Sequence, residues 1–141
     1  MSILILAAAA AASLPVHSVA LEQDGQRYTV DYIAHLSTRS KVEGVRPPSR
    51  GGFQRCVTKA RLSVERRITD PASGASMSAM LPGETQVSDS RVGRCGAFDE
   101  RADDLVAARA DTITAHLTRT AAADKPHALA TITAARSLAA R

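Results

Sequence analysis

Aromatic residues are scarce in this sequence, which has no tryptophan and in which Phe, Tyr and Trp make up 3% of the 141 residues. Single-stranded nucleic acids are bound largely by stacking of bases on aromatic rings, so little of the material for that recognition is present. The stretch Arg50-Gly51-Gly52-Phe53 is one copy of an RGG-like element, which is weak evidence for RNA binding. Nucleic acid is therefore an unfavoured partner.

Recognisable catalytic motifs are also missing. The chain has no Gly-x-Ser-x-Gly elbow, no Walker-type phosphate loop, no His-Glu-x-x-His and no Gly-x-Gly-x-x-Gly. The carboxylate pairs Asp99-Glu100 and Asp103-Asp104 could serve as general acid and base, but capping of a helix start explains them fully. We expect surface or helix-end roles for the histidines outside the leader, His35, His116 and His127. No enzymatic activity, catalytic residue, cofactor or metal site is predicted.

Cysteine is limited to two residues, Cys56 and Cys95, with no Cys-x-x-Cys spacing and no nearby histidine to complete a metal site. In an oxidising compartment two distant cysteines most simply form one disulfide. Closing a loop of about 40 residues stabilises a fold by roughly 4 kcal/mol on the chain-entropy model. The alternative is a pair of buried, unpaired thiols.

The N-terminus has the layout of a secretory signal peptide. An apolar run from Ile3 to Ala12 is followed by Pro15 and by the small-x-small triplet Ser18-Val19-Ala20. This pattern predicts a leader of residues 1–20, cleaved before Leu21, and one domain over 21–141. A retained anchor and a cytosolic chain are the alternatives, although the run is shorter than the ~20 residues that span a bilayer. The predicted location is periplasmic or secreted, with no later apolar run long enough to span.

The segment from Arg27 to Leu36 alternates apolar and polar residues, with Ile33 as the exception, and this period of two predicts a strand. The following segment, Ser37 to Gly52, is polar and contains Pro47-Pro48. We expect a loop here, with room for a short extended piece around Val42 to Val45.

The stretch RCVTKARLSVERRITD, from Arg55 to Asp70, fits both a helical stripe and strand alternation. Its neighbours favour the strand. Asp70 to Gly74 has turn chemistry, and Met77, Ala79 and Leu81 then alternate with serines, as in the return arm of a hairpin. We predict an antiparallel hairpin that pairs with the Arg27 to Leu36 strand.

From Asp99 the hydrophobic period changes to that of helices. Leu105, Ile113 and Leu117 belong to an apolar stripe, and acidic residues crowd the first turns, with Asp99 as a plausible N-cap. Thr120 to Lys125 is interpreted as a short connection, with Asp124 capping a second helix that extends nearly to Arg141.

These elements predict an α+β fold in which a small antiparallel sheet of about three to four strands packs against a C-terminal helical hairpin. The order of RCVTKARLSVER, LPGET, SRVGRC and an alanine-rich helical pair resembles a set of small exported bacterial proteins of unknown function. The resemblance agrees with the segment assignments and implies no activity.

Positive charge is concentrated in one segment. The residues from Arg55 to Arg67 include five basic side chains and one acidic side chain, a balance equal to the net charge of the whole chain, +4. On the strand interpretation one face carries Glu65 and the four candidate anion-binding residues Arg55, Lys59, Arg61 and Arg67.

Two classes of function follow from this charge. The first is a small exported accessory protein of the envelope that binds an anionic envelope component or an acidic protein through the basic strand face. The second is a cytosolic, basic nucleic-acid-binding protein. Two explanations of the charges need no partner. In the first, the basic face keeps the protein soluble and discourages edge-to-edge pairing of sheets. In the second, the acidic first helix compensates the positive charge. The sequence does not determine the oligomeric state.

Overall fold

The computed structural model describes residues 14–44, 54–96 and 98–141 and confirms an α+β fold with an antiparallel sheet. The sheet has five strands, and a long helix lies at the C-terminal end. In chain order the elements are β1 (Val16–Gln23), β2 (Gln26–Glu43), β3 (Arg55–Thr69), β4 (Ser76–Met80), β5 (Thr85–Val92), α1 (Phe98–Ala108) and α2 (Ala110–Ala139).

The centre of the sheet is the antiparallel pair β2 and β3, which are aligned from Thr29 opposite Thr69 to Glu43 opposite Arg55. Along β3, exposed or half-buried residues alternate with buried ones over the whole strand. This alternation confirms the strand interpretation of the Arg55 to Asp70 stretch, because a helix would bury every third or fourth residue.

The predicted hairpin between β3 and β4 is also confirmed. The backbone N–H of Gly74 donates to the carbonyl of Asp70, and the N–H of Asp70 donates to the carbonyl of Ala75. Gly74 has φ +72°, a value that residues with a side chain rarely adopt, so glycine is needed here.

The N-terminal strand β1 pairs with β2 through a tight turn at Asp24 and Gly25, which have φ 50° and 76°. Positive φ at both central residues is the geometry of a type I′ turn, for which Asp-Gly is a preferred sequence. The predicted leader boundary, between residues 20 and 21, falls inside β1, and residues 1–13 lie outside the described part of the chain. The leader itself stays a prediction.

The predicted count of three to four strands was too low, because β5 was missed and the first five residues of β1, Val16 to Ala20, had been assigned to the leader. Val87 is the buried hydrophobic residue of β5, so its sequence shows little alternation. It forms a strand because its backbone pairs with the first half of β3, whereas β4 pairs with the second half.

The predicted loop from Ser37 to Gly52 was wrong in its first half, since β2 continues to Glu43. These polar residues form a strand because β3 supplies a hydrogen-bonding partner along their whole length. The rest of that loop, including Arg50 to Phe53, lies outside the described residues.

The predicted helical hairpin was wrong as well. The break between α1 and α2 lies at Arg109, while Thr120 to Lys125 belongs to α2, which also contains Pro126. Pro126 removes one backbone hydrogen bond, but Asp124 and Ala128, on either side of it, are buried against the sheet and hold the helix in place. The described part of α1 begins one residue before Asp99, the predicted N-cap.

The core lies between the sheet and α2. Leu62, Val64 and Ile68 of β3 face one stripe of the helix. That stripe consists of Ile113, Leu117, Ala121, Ala128 and Ile132. A smaller cluster joins Leu105 of α1 to the sheet. The helices therefore cover one face of the sheet and leave the other face without a layer among the described residues.

The two cysteines are at disulfide distance, with the Cys56 and Cys95 sulfurs 2.06 Å apart and a sequence separation of 39. Cys56 is the second residue of β3, and Cys95 precedes α1. The bond therefore links the sheet to the entry of the helical layer, as expected.

Replacing both cysteines by alanine is expected to lower the free energy of unfolding by about 4 kcal/mol, because the unfolded chain regains the entropy of the opened loop. Urea titration followed by circular dichroism measures this loss. A reducing agent should destabilise the parent similarly and leave the double variant unchanged; equal midpoints for parent and variant would contradict a stabilising bond.

Candidate anion-binding face

The four candidate residues, Arg55, Lys59, Arg61 and Arg67, all lie exposed on the outward face of β3, away from α2. The alternate residues of β3 point the other way, so Cys56, Ala60, Leu62 and Val64 are buried. The strand thus sorts charge and hydrophobicity onto opposite sides of the sheet, as the period of two requires.

The neighbouring strand β2 adds two basic side chains to this surface, Arg39 and Lys41. Arg39 lies directly opposite Lys59, and Lys41 lies opposite Val57. Directly opposed residues on antiparallel strands share a face of the sheet. We call the group Arg39, Lys41, Arg55, Lys59 and Arg61 the basic face. The sequence interpretation missed Arg39 and Lys41 because it placed both in a loop.

The strand on the other side of β3 contributes no charge at the matching positions. In β5, Ser88 lies opposite Lys59, and Gln86 lies opposite Arg61. The positive charge of Lys59 and Arg61 is therefore not offset by a carboxylate directly across from them on β5. An open depression of about 370 Å³ lies here and is lined by Arg39, Lys41, Lys59 and Arg61 among others.

One carboxylate, that of Glu43, lies beside the basic face. Its Oε1 is 3.0 Å from Nζ of Lys41. The hydrogen bond from Lys41 and its charge lower the pKa of Glu43 most, and the charges of Lys59 and Arg55 lower it further. Lys41, Lys59 and Arg55 thus all lie near enough to act on one carboxylate at this end of the sheet.

Arg67 belongs to a different environment. Its Nη2 is 3.2 Å from Oε1 of Glu65, and its Nε is 3.4 Å from Oγ of Ser78. Glu65 also contacts Nε2 of His35 at 2.7 Å, and that hydrogen bond is the largest cause of the lowered pKa of Glu65. The structure therefore places Lys59 and Arg61 around one depression, Arg55 further along the same face, and Arg67 in a separate cluster with Glu65 and Ser78.

The described acidic side chains of α1, those of Asp103 and Asp104, do not compensate the basic face. Leu105 of α1 packs against Ala60 and Val87, on the side of the sheet opposite the basic face. Asp104 pairs with Arg91 of β5 at 2.7 Å. The described acidic contacts of α1 are thus made elsewhere.

A second polar group, which the sequence did not reveal, joins β2, β3 and α2 in the interior. Nη1 of Arg66 lies 3.0 Å from both carboxylate oxygens of Asp124, and the hydroxyl of Tyr32 donates to Oδ2 of the same carboxylate at 3.0 Å. Nη2 of Arg66 donates to Oγ1 of Thr131. Arg66 and Asp124 are only 9% and 8% exposed, so the charges neutralise each other inside the fold.

The described residues considered for catalysis lie on different elements, and the side chains of Asp99 and Glu100 lie outside the described part of the chain. His35 contacts Glu65 on the outward face, while the half-buried His116 has its pKa lowered by desolvation and then by the charge of Arg119. His17 lies in β1 rather than before the domain. His127 lines an open groove of about 520 Å³ with Asp124, whose carboxylate is already bound by Arg66 and Tyr32. Asp103 is exposed on α1.

Among the described residues there is no cluster of three or more His, Cys, Asp or Glu side chains with the spacing of a metal site. Within the same residues, no helix has the length and hydropathy of a membrane span. The Cys56–Cys95 pair at disulfide distance is consistent with a non-cytosolic protein.

The chain is thus an α+β domain with one basic sheet face and one covered sheet face. Comparisons with family models, with curated proteins and with solved structures find no match for it. The resemblance to small exported bacterial proteins stays a prediction.

Replacing Asp124 by leucine is expected to destabilise the fold by about 3 to 5 kcal/mol, because it leaves the buried Arg66 charge without a counter-ion. The double replacement Arg66→Met with Asp124→Leu should recover most of that loss. Chemical unfolding of both variants measures the difference. The exposed pair Arg91 and Asp104 is the control, where Asp104→Asn should change stability by less than about 1 kcal/mol. Similar effects of Asp124→Leu and the control would contradict this account.

Alkaline pH is expected to destabilise the protein through Tyr32. Burial first, and then the hydrogen bond to Asp124 and its negative charge, raise the pKa of Tyr32 above the ordinary 10.0. The unfolded chain loses this proton near pH ~10 while the folded chain keeps it, so the contribution is present below that pH and is lost as pH rises towards the folded pKa. Urea unfolding at about pH 9 and about pH 11 should show a larger loss for the parent than for Tyr32→Phe. Equal losses would exclude Tyr32 as the source.

Proposed function

We propose that this chain is a small, exported, non-enzymatic protein of the bacterial envelope that binds an anionic lipid surface through its basic face. The observation that carries the proposal is the group of five basic side chains, contributed by two adjacent strands, on the sheet face opposite α2. They are accompanied by the carboxylate of Glu43. Such a surface attracts anionic head groups at long range and holds them at short range.

The arrangement of the charges supports binding rather than solubility alone. Arg39 lies directly opposite Lys59, and like charges in this position destabilise a sheet. A face that only keeps the protein soluble would serve equally well with positive and negative side chains in alternation. A bound anion between the two side chains would relieve the repulsion, so a partner gives this arrangement a physical advantage.

The extended, open form of the basic face favours a surface over a small ligand. Its side chains lie on β3 and on the part of β2 beyond its pairing with β1, and they extend along two strands instead of converging on one closed cavity. Each Lys or Arg near an anionic membrane surface contributes about 1 kcal/mol of binding energy. We therefore place anionic lipid ahead of an acidic protein as the partner.

Export is supported by two features that are independent of the basic face. The apolar run from Ile3 to Ala12 has the length of the hydrophobic part of a secretory leader. The Cys56–Cys95 pair is of the kind that persists in oxidising compartments. Together they favour the periplasm or the exterior over the cytosol.

The alternative, a cytosolic nucleic-acid-binding protein, has less support. Both tyrosines, Tyr28 and Tyr32, are buried in the core and cannot stack on bases. The disulfide also argues against a reducing compartment.

A charge-matched pair of variants tests the proposal. Arg39→Gln, Lys59→Gln and Arg61→Gln together remove three charges from the basic face, while Arg119→Gln, Lys125→Gln and Arg141→Gln remove three exposed charges from the helical side. In sedimentation with vesicles of phosphatidylglycerol and phosphatidylcholine, the first variant should bind roughly 10- to 100-fold more weakly than the parent. The second should bind like the parent.

Thermal unfolding confirms that both variants are folded before binding is compared. High salt should weaken parental binding, because screening reduces the attraction. Equal retention of the two variants would show that net charge, and not the basic face, causes binding. Binding of the parent to an acidic polypeptide or to single-stranded DNA, with no retention on vesicles, would identify the other partner classes.

A further inference from the structure

We propose that the export leader ends before β1, by cleavage of the Ala12–Ser13 peptide bond, so that the mature chain begins at Ser13. This inference rests on the proposed export of the protein and replaces the cleavage before Leu21 that the sequence pattern predicts. In the reaction an endopeptidase of the export pathway adds water across the bond, leaving a carboxylate on Ala12 and a free α-amino group on Ser13.

The pairing of β1 with β2 argues against cleavage before Leu21. The two strands are aligned over all of β1, from Val16 opposite Ile33 to Gln23 opposite Gln26. Cleavage between Ala20 and Leu21 would remove the residues of β1 that pair with Thr29 to Ile33 of β2. That would leave the backbone groups of a central part of the sheet without partners.

The side chains of β1 before Leu21 also contact the rest of the domain. Val19 packs against the main core, and the hydroxyl of Ser18 donates to the carboxylate of Asp31. One step further towards the N-terminus, the carbonyl of Pro15 accepts a hydrogen bond from the N–H of Ala34 at 2.9 Å. Among the described residues, the contacts of the domain therefore extend back to Pro15, well before Leu21.

A new chain terminus at Leu21 would also carry its charge into the core. Leu21 is 7% exposed and lies opposite Tyr28, which is 5% exposed. Cleavage there converts a paired backbone N–H into an ammonium group beside these two residues. Burying a charge without a counter-ion is unfavourable, so the strand end would be forced out of the sheet.

The sequence before Pro15 offers a suitable site. Export peptidases require small residues at the first and third positions before the bond, and Ala10 and Ala12 satisfy this. Cleavage after Ala12 leaves Ile3 to Ala9 as the apolar part, which is near the lower limit of about 7 residues. Cleavage after an earlier alanine would shorten that part below the limit.

The decisive experiment is the intact mass of the protein from fractionated cells that express the full sequence with a C-terminal tag. A periplasmic or secreted product beginning at Ser13 supports the proposal. An exported product beginning at Leu21, or an exported uncut chain, overturns it while leaving export standing. An exported product that begins at Leu14 keeps β1 whole but overturns the assigned bond. An uncut chain in the cytosol overturns both the cleavage and the proposed export.

Two single variants separate the two cleavage positions. Ala12→Leu places a bulky side chain next to the proposed bond and should slow processing at least tenfold in a pulse-chase experiment. Ala20→Val makes a comparable change next to the sequence-predicted bond, at an exposed position of β1 where a β-branched residue is well tolerated. It should process at the parental rate. The reverse pattern overturns the proposal.

The contribution of β1 to stability can be measured on purified protein. Purified chains that begin at Ser13 and at Leu21 are compared by thermal unfolding. We expect the longer chain to unfold cooperatively and the shorter one to lose cooperativity or to melt at a clearly lower temperature. Equal melting temperatures would show that β1 is dispensable and would remove the reason for the earlier cut.

Discussion

The pairing of β2 with β3 is the contact on which the other parts of the structure depend. It aligns the two strands from Thr29 opposite Thr69 to Glu43 opposite Arg55, and every other strand attaches to one member of this pair. Because side chains alternate along a strand, the alignment of β2 with β3 fixes both the residues that face α2 and the residues that face outward. A shift by one residue would turn Lys59 and Arg61 towards α2 and expose Leu62, so the hydrophobic core enforces the position of the basic face.

The central hairpin could be predicted from the sequence because its signals are local. The turn residues from Asp70 to Gly74 require a reversal of the chain, and alternation on either side of the turn indicates strands. The outward positions of Arg55, Lys59 and Arg61 then follow from the period of two. The disulfide could also be predicted, since a chain with two cysteines allows one intramolecular pairing.

The remaining features depend on partners that are distant in sequence. The residues from Ser37 to Glu43 are polar enough to form a loop and become a strand only because β3 lies beside them. Asp124 resembles a helix cap until Arg66 and Tyr32 are seen on the facing strands. For β1 a local signal did exist in Asp24-Gly25, a strong hairpin turn, but the small residues before it also fit a leader. The residues before the turn therefore fit both a strand and the end of a leader.

The disulfide has a mechanical consequence. It encloses most of β3 and all of β4 and β5 in a loop, because Cys56 and Cys95 are separated by 39 positions. A force applied to the two chain ends passes through the bond and bypasses this loop. Pulling would therefore extend only the segments outside it and leave a contour length of roughly 130 Å inextensible while the bond is intact. Oxidised and reduced molecules would differ in extensibility by that length, whichever partner the protein binds.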